Sequence, residues 1–183
     1  MKNGRLAAGA HALARKSIVE LVGLFEPWID AEALFDRPAR KRLYTAPRVF
    51  WLFLSQVLSA DGACRETVQK FLAWLAYGEN GEASSNTCAY CNARGRLPVG
   101  KLREARDGLA QKIESAAPSA WRWRGRAVKV VDGSGLSMPD TPENQKVYPQ
   151  SKKRRKGCGF PEMRIVALFS LATGVLLRYA KGS

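Results

Sequence analysis

Apolar positions in the first 120 residues recur at helical spacing. Ile18, Leu21, Val22 and Phe25 fall at i, i+3, i+4 and i+7, one face of a helix that Pro27 stops. Thr45 is an N-cap candidate, with Pro47 in the first turn, for a second helix carrying Phe50, Trp51 and Leu54. A third holds Val68, Phe71, Leu72 and Leu75, and Gly78 is placed to supply a left-handed C-terminal cap. Residues 78–85 read as a loop. A short helix over Asn86–Arg94, capped by Ser85, and a longer one over Pro98–Ala116, with Leu102, Ala105, Leu109 and Ile113 on one face, follow before Pro118. These stripes build a core and carry no functional meaning of their own.

After Pro118 the pattern changes. Trp121-Arg-Trp-Arg-Gly leads into Ala127-Val-Lys-Val-Val-Asp132, a β-branched run whose strand is predicted to end at Asp-Gly. Residues 133–161 are rich in Pro, Gly and polar side chains and predict one long loop, its basic part at 139–161. Met163–Leu171 and Val175–Tyr179, separated by Ala172-Thr-Gly174, predict a β-hairpin with Gly at the turn. The first of these strands is apolar on both faces, which suits the middle of a sheet. The expected fold class is α+β.

Charge narrows the partner. The 183 residues hold 30 Lys+Arg against 16 Asp+Glu, a formal charge of +14. Such an excess favours a polyanion, because each phosphate contact releases counterions; an anionic membrane surface and simple solubility are the alternatives. From Trp121 onward there are thirteen basic and four acidic residues, or +9, so the excess is densest in the β part. Neither apolar run, Val49–Leu54 or Ile165–Leu177, reaches the roughly 18 residues of a membrane span, and no secretory signal is evident. Cys64, Cys88, Cys91 and Cys158 form no disulfide framework; Cys88 and Cys91 make a lone CxxC, read as reduced thiols one helical turn apart rather than a zinc site. A cytoplasmic protein is expected.

The segment Val130-Val-Asp-Gly-Ser-Gly-Leu-Ser-Met-Pro-Asp-Thr-Pro-Glu-Asn144 carries the most chemistry. A carboxylate fixed on a strand is well placed to hold a hard cation for phosphoryl transfer. An Asp-Gly that merely turns the chain is the plainer alternative. The run Val131–Gln145 resembles the first catalytic motif of the DDE-type transposases of bacterial insertion sequences, the family numbered four. Tyr148-Pro149, Gly157-Cys-Gly-Phe-Pro161 and Ala167–Val175 follow in the order that family shows. Upstream, Cys88-Ala-Tyr-Cys-Asn-Ala-Arg-Gly-Arg-Leu-Pro98 is similar to its helical N-terminal region.

The resemblance implies a helical DNA-binding domain at residues 1–120. Residues 121–183 would then be the first three strands of an RNase H-like mixed sheet, incomplete, with a basic loop at 139–161. It implies that Asp132 is the first of three acidic residues, a catalytic group and a ligand of Mg²⁺ or Mn²⁺; Asp140, in the same motif but in the loop, reads as structural or capping. DNA, both transposon ends and target, is the implied partner, in a bacterial cell at the nucleoid. The second Asp and the Glu of the family have no counterpart before Ser183. The expectation is therefore an N-terminal fragment, inactive alone and weak in metal binding, with a DNA-end-binding module or an inhibitor of a full-length transposase as the alternative. A homo-oligomer or a full-length transposase is a possible protein partner; a membrane is not.

Candidate phosphate contacts are Lys152, Lys153, Arg154, Arg155 and Lys156 in the basic loop, with a merely solvated tract as the alternative. In the helical part Arg94, Arg96, Arg103 and Arg106 are candidates on a pattern like a helix-turn-helix with an overlong turn. Trp121 and Trp123, alternating with Arg122 and Arg124, either stack on unpaired bases or pack where two domains meet.

Overall fold

The computed structural model describes residues 12–35, 42–78, 83–151, 155, 157 and 159–183. Two compact units divide the chain, residues 1–108 and residues 109–183. The division falls within a long helix.

In the first unit, α1 (Ile18–Phe25) opens with a capping box: the Ser17 hydroxyl accepts the Glu20 amide while the Glu20 carboxylate accepts the Ser17 amide. Its Ile18 and Leu21 are buried, as their spacing predicts. A single turn, α2 (Ala31–Leu34), is capped by Asp30, which accepts the Ala33 amide at 2.9 Å. Thr45 and Pro47 start α3 (Ala46–Leu58), and Val49, Phe50, Trp51 and Leu52 are buried along it. Against α3 pack α1, α2, α4 (Cys64–Gly78) and α5 (Cys88–Gly95). Val68, Phe71 and Leu75 of α4 and Tyr90 of α5 complete the core, and Tyr44 joins the last two rings.

Two helix-end expectations fail. Gly78 remains the last helical residue of α4 and does not take the left-handed conformation. The helix predicted from Asn86 starts at Cys88, after Thr87 as N-cap, and the Asn86 side-chain oxygen accepts the Cys88 amide at 2.8 Å just ahead of it.

Helix α6 (Val99–Ala116) straddles the division and enters the second unit. There, β1 (Lys129–Ser137), β2 (Glu162–Ser170) and β3 (Leu176–Gly182) form a three-stranded antiparallel sheet in the order β1-β2-β3. The fold is α+β as expected. The strand apolar on both faces, β2, is the central one. The predicted hairpin turn is present, with Gly174 at φ 72°.

The segment at 139–161 is not one irregular loop. Thr141 accepts the Asn144 amide and Pro142 occupies the first turn of a short helix, α7 (Pro142–Val147). Both are helix-start residues that a Pro-rich composition hides.

Candidate functional site on the sheet

Asp132 is not the end of its strand. It is the fourth residue of nine in β1 and faces Ala167 of β2, which in turn faces Tyr179 of β3. Asp-Gly is a turn signal in isolation, but the ladder continues through Gly133 to Ser137, paired residue for residue with Glu162–Ile165 and beyond. Cross-strand pairing overrides local turn preference here.

Directly opposite residues share a sheet face. Asp132 therefore stands with Val130, Ser134, Ile165, Ala167, Phe169, Tyr179 and Lys181. All nine residues of β1 are exposed. The Asp132 carboxylate accepts the Gly133 amide at 2.9 Å, so the strand orients its side chain. On the same face the Lys181 ammonium lies 5.9 Å from the ring of Tyr148, which follows α7.

The loop between β1 and β2 closes on itself. At its base the Met138 amide donates to the Pro161 carbonyl at 2.9 Å. The Gln145 amide group donates to Asp140 at 2.7 Å and to the Gly159 carbonyl at 3.2 Å. The Gln150 amide group donates to the Arg155 carbonyl at 2.9 Å, and its oxygen accepts the Gly159 amide at 3.1 Å. Asp140 is thus a brace within the loop. Two glutamines with no motif to mark them, Gln145 and Gln150, bond to Gly159, and Gln150 bonds also to Arg155. Arg155 is exposed, while Lys152, Lys153, Arg154 and Lys156 lie outside the described residues.

In the first unit the arginine candidates separate. Arg94 points inward: its guanidinium donates to Gln56 Oε1 at 2.8 Å and to Cys64 Sγ at 3.4 Å, and lies 5.8 Å from the Tyr90 ring centroid. Tyr90 donates to the same Gln56 oxygen at 2.7 Å. Arg96 and Arg103 are exposed, and Arg106 is half-buried with a bond to Asp107 at 2.6 Å. Cys91 donates to Cys64 at 3.6 Å, whereas Cys88 is exposed. Burial works to raise the Cys64 thiol, but bonds from Cys91 and Gln56 and the Arg94 charge outweigh it and hold its pKa below the ordinary value. A lone glutamine in the apolar run Trp51–Leu58 was the only sequence sign of this polar cluster.

Divalent metal needs several oxygen ligands at once. Among the described residues no three His, Cys, Asp or Glu side chains come together. Asp132 alone does not make a donor set for Mg²⁺ or Mn²⁺. Also among the described residues, no helix is long and apolar enough to cross a membrane.

The chain is similar to the transposase InsG of insertion sequence element IS4 from Escherichia coli K12, with 25% identity over 144 residues. The aligned region is 79% of this chain and 32% of that protein, so the chain spans about a third of the relative's length. This supports a relationship to transposases. No protein-family model matches the chain, and no solved structure does.

Proposed function

We propose that this chain is part of a DDE-type DNA transposase and that its own role is to bind DNA. The observation that carries the reading is the exposed carboxylate of Asp132, oriented in the middle of β1, the strand that leads into a braced loop with exposed Arg155, in a chain related to a transposase. In this reading the sheet is the start of an RNase H-like core and Asp132 is the first of three metal-holding carboxylates. Cutting and joining strands would require two more, set on the same divalent ions. DNA contact would come from Arg155 and the other basic residues of its loop, Lys152, Lys153, Arg154 and Lys156, with Arg96 and Arg103 as exposed contributors from the helical unit. Arg94 serves the Gln56 cluster instead. Among the described residues no three carboxylates come together; in this reading end binding is the part of the reaction this chain supplies, and regulation of a longer transposase is a role open to it.

The test is a mobility-shift titration with duplexes carrying the terminal repeats that flank the gene, against random duplexes of equal length. The reading expects at least tenfold preference for the repeats and an affinity that falls steeply with salt. Equal affinity for the two duplexes overturns end recognition, and no binding to either overturns the DNA reading altogether.

A further inference from the structure

The turn that precedes β1 is absent from the role just described, yet it is the most aromatic exposed surface of the second unit. Ser119–Trp121 form a single 3-10 turn, and Arg122 is extended at φ −88° and ψ 135°. Trp123 and Arg126 then pair with each other: the Trp123 amide donates to the Arg126 carbonyl at 3.1 Å, and the Arg126 amide donates back at 2.9 Å. The two residues between them, Arg124 at φ 48° and Gly125 at φ 75°, are both left-handed. That is the signature of a tight two-residue reversal of the primed type, which ordinarily takes Asn-Gly. Here the first place is given to an arginine, and its guanidinium stands 5.1 Å from the centroid of the Trp123 ring.

Both indoles are open. Trp121 and Trp123 are each 58% exposed. They flank extended Arg122, two positions apart in the chain, Trp121 closing the 3-10 turn and Trp123 opening the reversal. Arg122, Arg124 and Arg126 are exposed around them. No acidic residue occurs between Glu114 and Asp132, so the turn carries only positive charge. Rigid aromatic faces interleaved with arginine suit a strand whose bases are unpaired, because every base offers a π-face and every nucleotide a phosphate. A duplex hides those faces.

We propose that Trp121 and Trp123, carried on the Trp123–Arg126 turn, form a stacking platform for the unpaired bases of a DNA strand, with Arg122, Arg124 and Arg126 on its phosphates. The choice of DNA rests on the function proposed above. The stacking chemistry does not.

Anisotropy titrations of the full chain with labelled oligo-dT of about 15 nucleotides, the same length of oligo-rU, and a terminal-repeat duplex test it. A double variant, W121A/W123A, should lose at least tenfold in affinity for oligo-dT, a conservative expectation for two lost stacks. Its duplex affinity should change less than twofold, and W121F/W123F should retain most oligo-dT binding. Both indoles are exposed, so the variants should keep the parent's circular dichroism spectrum. Oligo-dT binding that is absent, or that the alanine variant leaves unchanged, overturns the platform; so does an equal loss on duplex. Tighter, Trp-dependent binding of oligo-rU overturns DNA as the ligand. Failure of the duplex to bind while oligo-dT binds through the indoles would sink the function proposed above and leave the platform standing.

Discussion

The carboxylate of Glu114, near the end of α6, accepts the hydroxyl of Thr173 at 2.6 Å and so ties the helix to the turn between β2 and β3. Its second oxygen accepts the Lys129 ammonium at 2.9 Å, at the start of β1. Hydrogen bonds from Ser170 first, then Thr173 and Lys129, bring its pKa from the ordinary 4.5 down to about 2. One side chain thereby joins the hairpin and the Asp132 strand to the helix.

A carboxylate depressed on folding contributes stability that is fully present above its unfolded pKa and is lost as pH falls through the folded value. Denaturant melts of the second unit should therefore weaken from about pH 5 down to about pH 2. The E114Q variant should be flatter across that window. At neutral pH, E114A should cost roughly 1–3 kcal/mol, since it removes charge-assisted bonds from a side chain that keeps some solvent contact. An E114A unit as stable as the parent at pH 7 would show that Thr173 and Lys129 gain nothing from it.

Helix positions were legible in the sequence because burial repeats at helical spacing: Ile18 and Leu21, then Val68, Phe71 and Leu75, are all core residues. The hairpin was legible from Gly174 and its flanking apolar runs. The extent of β1 was not, because Asp132-Gly133 is a local turn signal and the partner that extends the strand lies far along the chain, at Glu162–Val166. Arg94 shows the same limit at the candidate site. Basic helix residues read as surface, and Gln56, 38 positions earlier, together with Cys64 turns this one inward. Side-chain networks between distant residues leave no periodic trace.

Gln150 makes the next measurable difference. It donates to the Arg155 carbonyl and accepts from the amide of Gly159, a buried residue. In Q150A that amide loses its acceptor, at a local cost of roughly 1–3 kcal/mol. Hydrogen exchange at Gly159 should quicken by about tenfold or more. The Q150E variant should fall between, because a carboxylate still accepts from Gly159 but cannot donate to Arg155. Unchanged exchange in Q150A would mean that the loop is held by other bonds.

The Cys64–Cys91 pair is placed to oxidise. Its sulfurs are 3.6 Å apart and need to close to about 2.0 Å for a disulfide. With hydrogen peroxide, the Cys64 thiolate attacks one oxygen and releases hydroxide, forming a sulfenic acid. The Cys91 thiol then displaces water, so two thiols and one peroxide become one disulfide and two waters. Intact-mass analysis should show the loss of two hydrogens, with peptide mapping joining Cys64 to Cys91 and leaving Cys88 open to alkylation. The C64S variant should form no such link. A disulfide made through Cys88 instead would contradict the packing of α4 against α5.

Asp132 gives the last prediction, which separates position from power. Its side chain is exposed on β1, and its one short bond is to the neighbouring Gly133 amide. Substitution at an exposed strand position away from core and caps moves stability by only about 0.5 kcal/mol, so D132N should melt close to the parent. Hard cations bind tightly only where several oxygens converge, and a single carboxylate falls to about millimolar affinity or weaker. Calorimetry of the chain with Mg²⁺ should accordingly give no saturable binding tighter than that, and D132N should leave the titration nearly unchanged. Micromolar Mg²⁺ binding abolished by D132N would instead require a complete donor set around this strand. That result would overturn the assignment of the chain to binding rather than to cutting.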